Sequence, residues 1–144
     1  MLAELDRIPW VTLQHAYGNA DDIPAMIRAL ASKDEKQKEW AQQALETSSF
    51  HQGQIYSSTP LVARFLGELS QENELPAKKW IIAYLKRLLI RAEAILSEAE
   101  SFPDDDVYEL WAKMTRKEWR QSNRNLAKQI LDEIHPYREI VLCG

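Results

Sequence analysis

Four of the six prolines, Pro24, Pro60, Pro76 and Pro103, stand close to the start of an apolar-periodic run. A proline has no amide hydrogen and a fixed φ, so a helix accepts it in the first turn and is broken by it further in. Each of these prolines therefore marks a helix entry. Glycine supplies little competing punctuation, because the chain has only four. That leaves few residues for primed hairpin turns or for a Gly-rich phosphate loop, both of which need positive φ. No segment sustains a period-two alternation between turn residues, so the expected fold class is all-α.

Helix ends follow from capping chemistry. Ile8 to Ala16 reads as a short N-terminal cap helix stopped by Gly18, and Asp21 or Asp22 can N-cap a helix through Met26, Ile27 and Leu30. Ser32-x-x-Glu35 has capping-box spacing, and Trp40, Ala41, Ala44 and Leu45 then recur at helical spacing to about residue 47. Thr59-Pro60 reads as N-cap and first turn of a helix with Leu61, Phe65 and Leu69 on its inner face. Pro76 opens the longest helix, to about residue 98, with Ile81, Leu85, Leu88, Ala92 and Ile95 along one side and Trp80, Ile82, Tyr84 and Leu89 widening that surface. At 1.5 Å per residue it runs roughly 33 Å. Pro103 and the carboxylates Asp104, Asp105 and Asp106 read as the first turn of a helix over about 104–114. Thr115-x-x-Glu118 is a second capping-box spacing, ahead of a helix to Ile134 carrying Trp119, Leu126, Ala127, Ile130 and Leu131. The last residues, from Tyr137, dock as a final turn or fray.

The segments fall into three pairs, about 22–47, 59–98 and 104–134, within one domain spanning residues 1–144. Pro24 precedes Trp40 by 16 residues, Pro60 precedes Trp80 by 20, and Pro103 precedes Trp119 by 16, so the tryptophans are expected at equivalent places in a stack. A helix pair cannot bury its apolar face alone, and stacking pairs supplies a continuous core. The expected architecture is an α-α superhelix of about three pairs, HEAT- or armadillo-like, with a compact helical bundle as the alternative. Two stretches carry a further resemblance. Trp10-x2-Leu13-x-His15-Ala16-Tyr17-Gly18-x-Ala20-x-Asp22-Ile23-Pro24 with Ile27-Arg28-Ala29-Leu30, and Phe50-His51-Gln52-Gly53-x2-Tyr56-x2-Thr59, resemble a bacterial group of HEAT-like repeat proteins over about residues 10–70. The resemblance implies an α-α superhelix in a group mostly of unknown function and taken to bind proteins, and it brings no catalytic residue. The chain departs from the group in its shortness and in its acidic, less regular third pair, so no binding face is carried over.

Composition and charge narrow the function. With 18 Lys and Arg against 22 Asp and Glu, the net charge of −4 disfavours general nucleic-acid binding, which draws most of its affinity from a basic footprint. Cys143 is the one cysteine and has no partner for an internal disulfide. The first residues lack a basic and then apolar leader pattern, and no stretch approaches 18 uncharged apolar residues, so no membrane partner and a cytoplasmic location are expected. His15, His51 and His135 are scattered, with no Cys-x-x-Cys or His-Glu-x-x-His, and Asp104–Asp106 lacks the alternating ligands and glycine of a calcium loop. No metal or cofactor is expected.

His15, Tyr17, His51, Gln52, Tyr56, Ser57, Ser58 and Thr59 form the group that could carry chemistry. The preferred reading is structural, with His51 and Gln52 bonding to helix ends and Gly53 making a left-handed turn; the alternative is a small enzyme using His15, His51 and Tyr56. Charge is organised in blocks. Lys78 to Arg91 holds five basic residues and no acidic one, Glu98 to Glu109 holds six acidic and no basic, and Lys113 to Lys128 holds six basic against one acidic. Such blocks read first as solvated, salt-linked faces, and alternatively as opposite potentials that steer a charged partner. The candidate interaction surface is therefore His51, Gln52, Tyr56, Lys79, Lys86, Arg87, Arg91, Asp104, Asp105 and Asp106. The expected function is non-enzymatic binding of another protein, including the special case of a toxin-neutralising, immunity-type protein. A second alternative is nucleic-acid binding through Lys78–Arg91 and Lys113–Lys128, which requires the two stripes to share a face.

Overall fold

A computed structural model describes residues 2–98, 108–109 and 113–144. These residues are mostly helical: α1 (Ile23–Leu30), α2 (Glu35–Ser48), α3 (Thr59–Ser70), α4 (Lys78–Glu98), α5 (Arg116–Ile134) and α6 (Arg138–Cys143). Two antiparallel hairpins of two-residue strands accompany them, β1 (Gln14–His15) with β2 (Gly18–Asn19), and β3 (Tyr108–Glu109) with β4 (Met114–Thr115). No described helix is long and apolar enough to cross a membrane.

The helix expected over 8–16 is replaced by a 3-10 turn at Trp10–Thr12 followed by the β1–β2 hairpin. Pro9 gives no amide to a first turn, and Thr12 Oγ1 donates back to the Pro9 carbonyl at 2.7 Å, closing the turn after three residues. Gly18, at φ 129°, then lets the chain reverse. Trp10 is buried by this arrangement, its indole N–H donating to the Leu5 carbonyl at 2.7 Å.

Capping is partly as expected. Thr115 and Glu118 form the reciprocal capping box that opens α5. At α2 the cap is Asp34 rather than Ser32: its carboxylate accepts from the amides of Lys36 at 2.9 Å and Gln37 at 3.4 Å, while the Ser32 hydroxyl accepts from the Asp34 amide. The shorter Asp-to-amide path wins because Asp34 already sits in the extended conformation a cap needs. Ser58, not Thr59, precedes α3, and Thr59 Oγ1 accepts from the Tyr56 amide and donates to the Ser49 carbonyl.

The third expected pair does not form as drawn. Tyr108–Glu109 lies in a strand against Met114–Thr115, which breaks the helix expected over 104–114, and Lys113 has a left-handed φ of 56°. The physical cause is at the α5 entry, where Thr115 must be extended to cap and so favours strand pairing just before it. Pro103, Asp104, Asp105 and Asp106 lie outside the described residues.

Packing follows the apolar stripes. α1 packs on α2, α3 on α4, and α5 lies against both α3 and α4, with α6 returning onto α4. Phe65 and Leu66 of α3, Ile81, Leu85 and Leu88 of α4, and Ile130 of α5 are fully buried in one core shared with Ile23, Ile27 and Leu30 of α1 and Leu45 of α2. The α3–α5 seam is clamped by Arg64, whose Nε and one terminal nitrogen donate to the two carboxylate oxygens of Glu133, both at 2.8 Å. The tryptophans do not occupy equivalent places. Trp40 is half exposed, Trp80 stacks on Tyr84 with centroids 5.1 Å apart, and Trp119 lines a cleft between α4 and α5. Their spacing from the prolines reflects only that each stands in the first turns of its own helix.

Candidate functional site

The histidine and tyrosine group comes together beside the first hairpin. His15 is buried; its Nδ1 accepts from the Tyr17 amide at 3.0 Å, which leaves the proton on Nε2 to donate to Asp22 Oδ1 at 2.8 Å. Both ring nitrogens are engaged, so His15 ties the hairpin to the entry of α1. Tyr17 is exposed, with ring centroids 6.2 Å from those of both His15 and His51. His51 and Gln54 bridge across a tight turn whose central residues, Gln52 and Gly53, have φ of 52° and 79°. This pair of positive φ values is the geometry of a type I′ turn. Gly53 therefore makes the left-handed turn expected of it. The side chains of His51 and Gln52 make no hydrogen bond among the described residues, so they do not cap helix ends as expected; the turn is closed by backbone alone, the Gln54 amide donating to the His51 carbonyl. Tyr56 is fixed beside them, and burial, with Tyr17 adding to it, pushes its phenol above the ordinary range.

The cationic residues of α4 separate onto two faces. Lys79, Ala83, Lys86 and Ile90 follow one another at i, i+4, i+7 and i+11, forming a stripe opposite the buried Ile81, Leu85, Leu88 and Ala92. With Ile82, Arg87 and Gly144 they line a shallow cleft of about 460 Å³. Ile90 is 61% exposed on this face, and on the neighbouring α6 Leu142 is half exposed. Arg87 is held in place, one terminal nitrogen donating to Glu46 Oε1 at 2.7 Å and its guanidinium lying 5.6 Å over the Tyr84 ring. Lys79 and Lys86 form no ion pair among the described residues.

Arg91 stands apart from that stripe. Its Nε donates to the Gly53 carbonyl at 2.8 Å, which joins α4 to the type I′ turn. It also lines a cleft of about 260 Å³ with Ile95, Glu98, Trp119, Arg120, Asn123 and Arg124. The two basic blocks thus meet through Arg91, Arg120 and Arg124, while Lys79 and Lys86 lie along another side of α4, with Arg87 between the two groups. Among the ten residues of the expected surface, His51, Gln52 and Tyr56 form one group, Lys79, Lys86 and Arg87 a second, and Arg91 bonds to the first from the helix that carries the second. Asp104, Asp105 and Asp106 lie outside the described residues. Ile90, Ala83 and Trp119 were not expected at the surface. Ile90 follows Leu88 and Leu89 in an apolar run, and only its phase with Lys79 and Lys86 marks it as outward-facing.

No family model, no curated protein and no solved structure matches the chain.

Proposed function

We propose that the protein is a non-enzymatic protein-binding helical module whose docking face is the outward stripe of α4. The observation that carries this reading is Ile90, a large aliphatic side chain left in water on a stripe with two lysines that have no ion pair among the described residues. Ile90 has Lys86 on the turn before it and Glu93, paired with Arg138, on the turn after it, and an exposed aliphatic side chain bordered by charge has the make-up of an interface core and its rim. The helical-repeat reading belongs with this proposal. α1 with α2 and α3 with α4 are two successive pairs, and α5 closes the second pair as a terminal element of a short stack would. The engagement of both His15 nitrogens within the chain supports a structural role for that residue.

Affinity capture from a lysate of the encoding organism tests the proposal, with the intact chain compared against a Lys79→Glu, Lys86→Glu, Ile90→Glu variant whose folding is checked by circular dichroism. All three positions lie on the solvent side, so the variant is expected to fold. The expected result is a stoichiometric partner that the variant loses and that added salt releases. A partner retained equally by the variant removes α4 as the docking face, and the absence of any stoichiometric partner removes the protein-binding function.

A further inference from the structure

We propose that the occupant of the α4 stripe is a single acidic amphipathic helix of another protein, with carboxylates seven residues apart and a large apolar side chain between them that seats over Ala83. This rests on the protein-binding reading and adds the shape and charge of the partner. The stripe itself has the periodicity of one side of a helix–helix contact. Lys79 and Lys86 are two helical turns apart, about 10.5 Å along the axis at 1.5 Å per residue. Between them stands Ala83, exposed and short, so the line of side chains dips there before rising again at Ile90. A dip flanked by longer side chains is the hole that a knob from a second helix fills.

The charge complement is equally specific. Lys79 and Lys86, like several other surface cations, contact no carboxylate among the described residues; what sets them apart is their seven-residue spacing on either side of Ala83. A partner helix laid along α4 with glutamates at the same seven-residue interval meets both ammonium groups at once. The exposed apolar groups of the stripe, Ala83 and Ile90, form a line rather than a broad face. An interfacial helix that enters a lipid surface needs a wide apolar side, so a helix partner fits this stripe better than a membrane does.

The test uses the full chain and a labelled designed peptide of about five helical turns, roughly 18 residues. The peptide carries glutamates seven apart with leucine between them, and a control peptide has lysines in their place. Fluorescence anisotropy is expected to show binding of the acidic peptide, weakened by about tenfold or more in a Lys79→Glu, Lys86→Glu variant, while the lysine peptide binds that variant and not the parent chain. Ala83→Trp, which fills the hole without changing charge, is expected to weaken the acidic peptide as well. Binding that ignores the charge reversal, no binding at all, or tighter association with phosphatidylserine vesicles than with the peptide overturns the inference. If the peptide fails while a captured protein still depends on Lys79, Lys86 and Ile90, the protein-binding reading stands and only the helical class of partner falls.

Discussion

Tyr84 is fully buried among Phe50, Trp80 and the Arg87 guanidinium; the buried Ser49 hydroxyl acts on its hydroxyl as a hydrogen-bonding neighbour, yet neither oxygen makes a well-formed hydrogen bond among the described residues. Burial drives the phenol well above its ordinary range, so it stays neutral. The ring is what the core uses; the oxygen has exchanged water for one poorly formed contact with Ser49. Removing such a group relieves a desolvation penalty that in general amounts to about 1–3 kcal/mol. Tyr84→Phe is therefore expected to leave stability unchanged or raise it by up to about 1 kcal/mol, read from the urea midpoint. A loss of more than that would show that the hydroxyl is satisfied in solution. His15 is the opposite case, a buried polar side chain with both nitrogens matched.

Among the elements, the joint between α3 and the turn after α5 depends on an absent side chain. Gly67 lies inside α3 with the Tyr137 ring directly over it, so that a Cβ added there would overlap ring carbons. Glycine in a helix interior ordinarily gains about 0.5–1 kcal/mol on replacement by alanine. Here the overlap reverses the sign, and Gly67→Ala is expected to cost about 1 kcal/mol or more. In a Tyr137→Ala background the same substitution is expected to stabilise, and denaturation of the four proteins of the double-mutant cycle measures the reversal. Additive effects would show that Tyr137 does not hold that position.

The helices from α1 to α5 were legible to within about two residues, because proline entries and apolar periodicity are local signals that need no tertiary partner. The segment from Pro9 to Asn19 was not, since its apolar residues carry a helical spacing while the Thr12 hydroxyl bonded back to Pro9 closes the turn after three residues and Gly18 reverses the chain. Lys79 and Lys86 could be found from the charge block. Their separation from Arg91 could not, because it depends on which side of α4 the core of α3 and α5 covers. The same holds for the contact between Gly67 and Tyr137, which joins residues distant in sequence and leaves no local signal around either.

At the scale of the whole molecule, the clamp between Arg64 and Glu133 closes a seam that also holds Glu68. The groups acting on Glu68 include Glu4, Arg64 and Glu133, and Tyr137 lies on the same seam, its phenol raised by burial with the carboxylates of Glu68 and Glu133 adding. Burial is the largest cause of the raised Glu68 pKa, and the carboxylates of Glu4 and Glu133 add to it against the pull of Arg64. A carboxyl whose folded pKa is raised binds its proton more tightly in the folded chain. Its contribution to stability is full below the unfolded value of about 4.3 and is lost as pH rises through the folded value. Glu68→Gln removes that dependence, so the variant is expected to gain stability relative to the parent between pH 4 and pH 7. Chemical denaturation of both proteins across that range checks it, and a difference that stays constant with pH would refute it.

The first hairpin bears on the order in which the molecule assembles. The Gln14 amide is held by the Ser57 hydroxyl, and the Gln14 carbonyl by the Ser58 hydroxyl, across 43 and 44 residues of chain. Such contacts cannot be rewarded until α1, α2 and the type I′ turn have brought their ends together, because the entropy of closing so long a loop must be met first. The first hairpin is thus expected to dock only after α1 and α2, the helices that lie between it and Ser57, have formed.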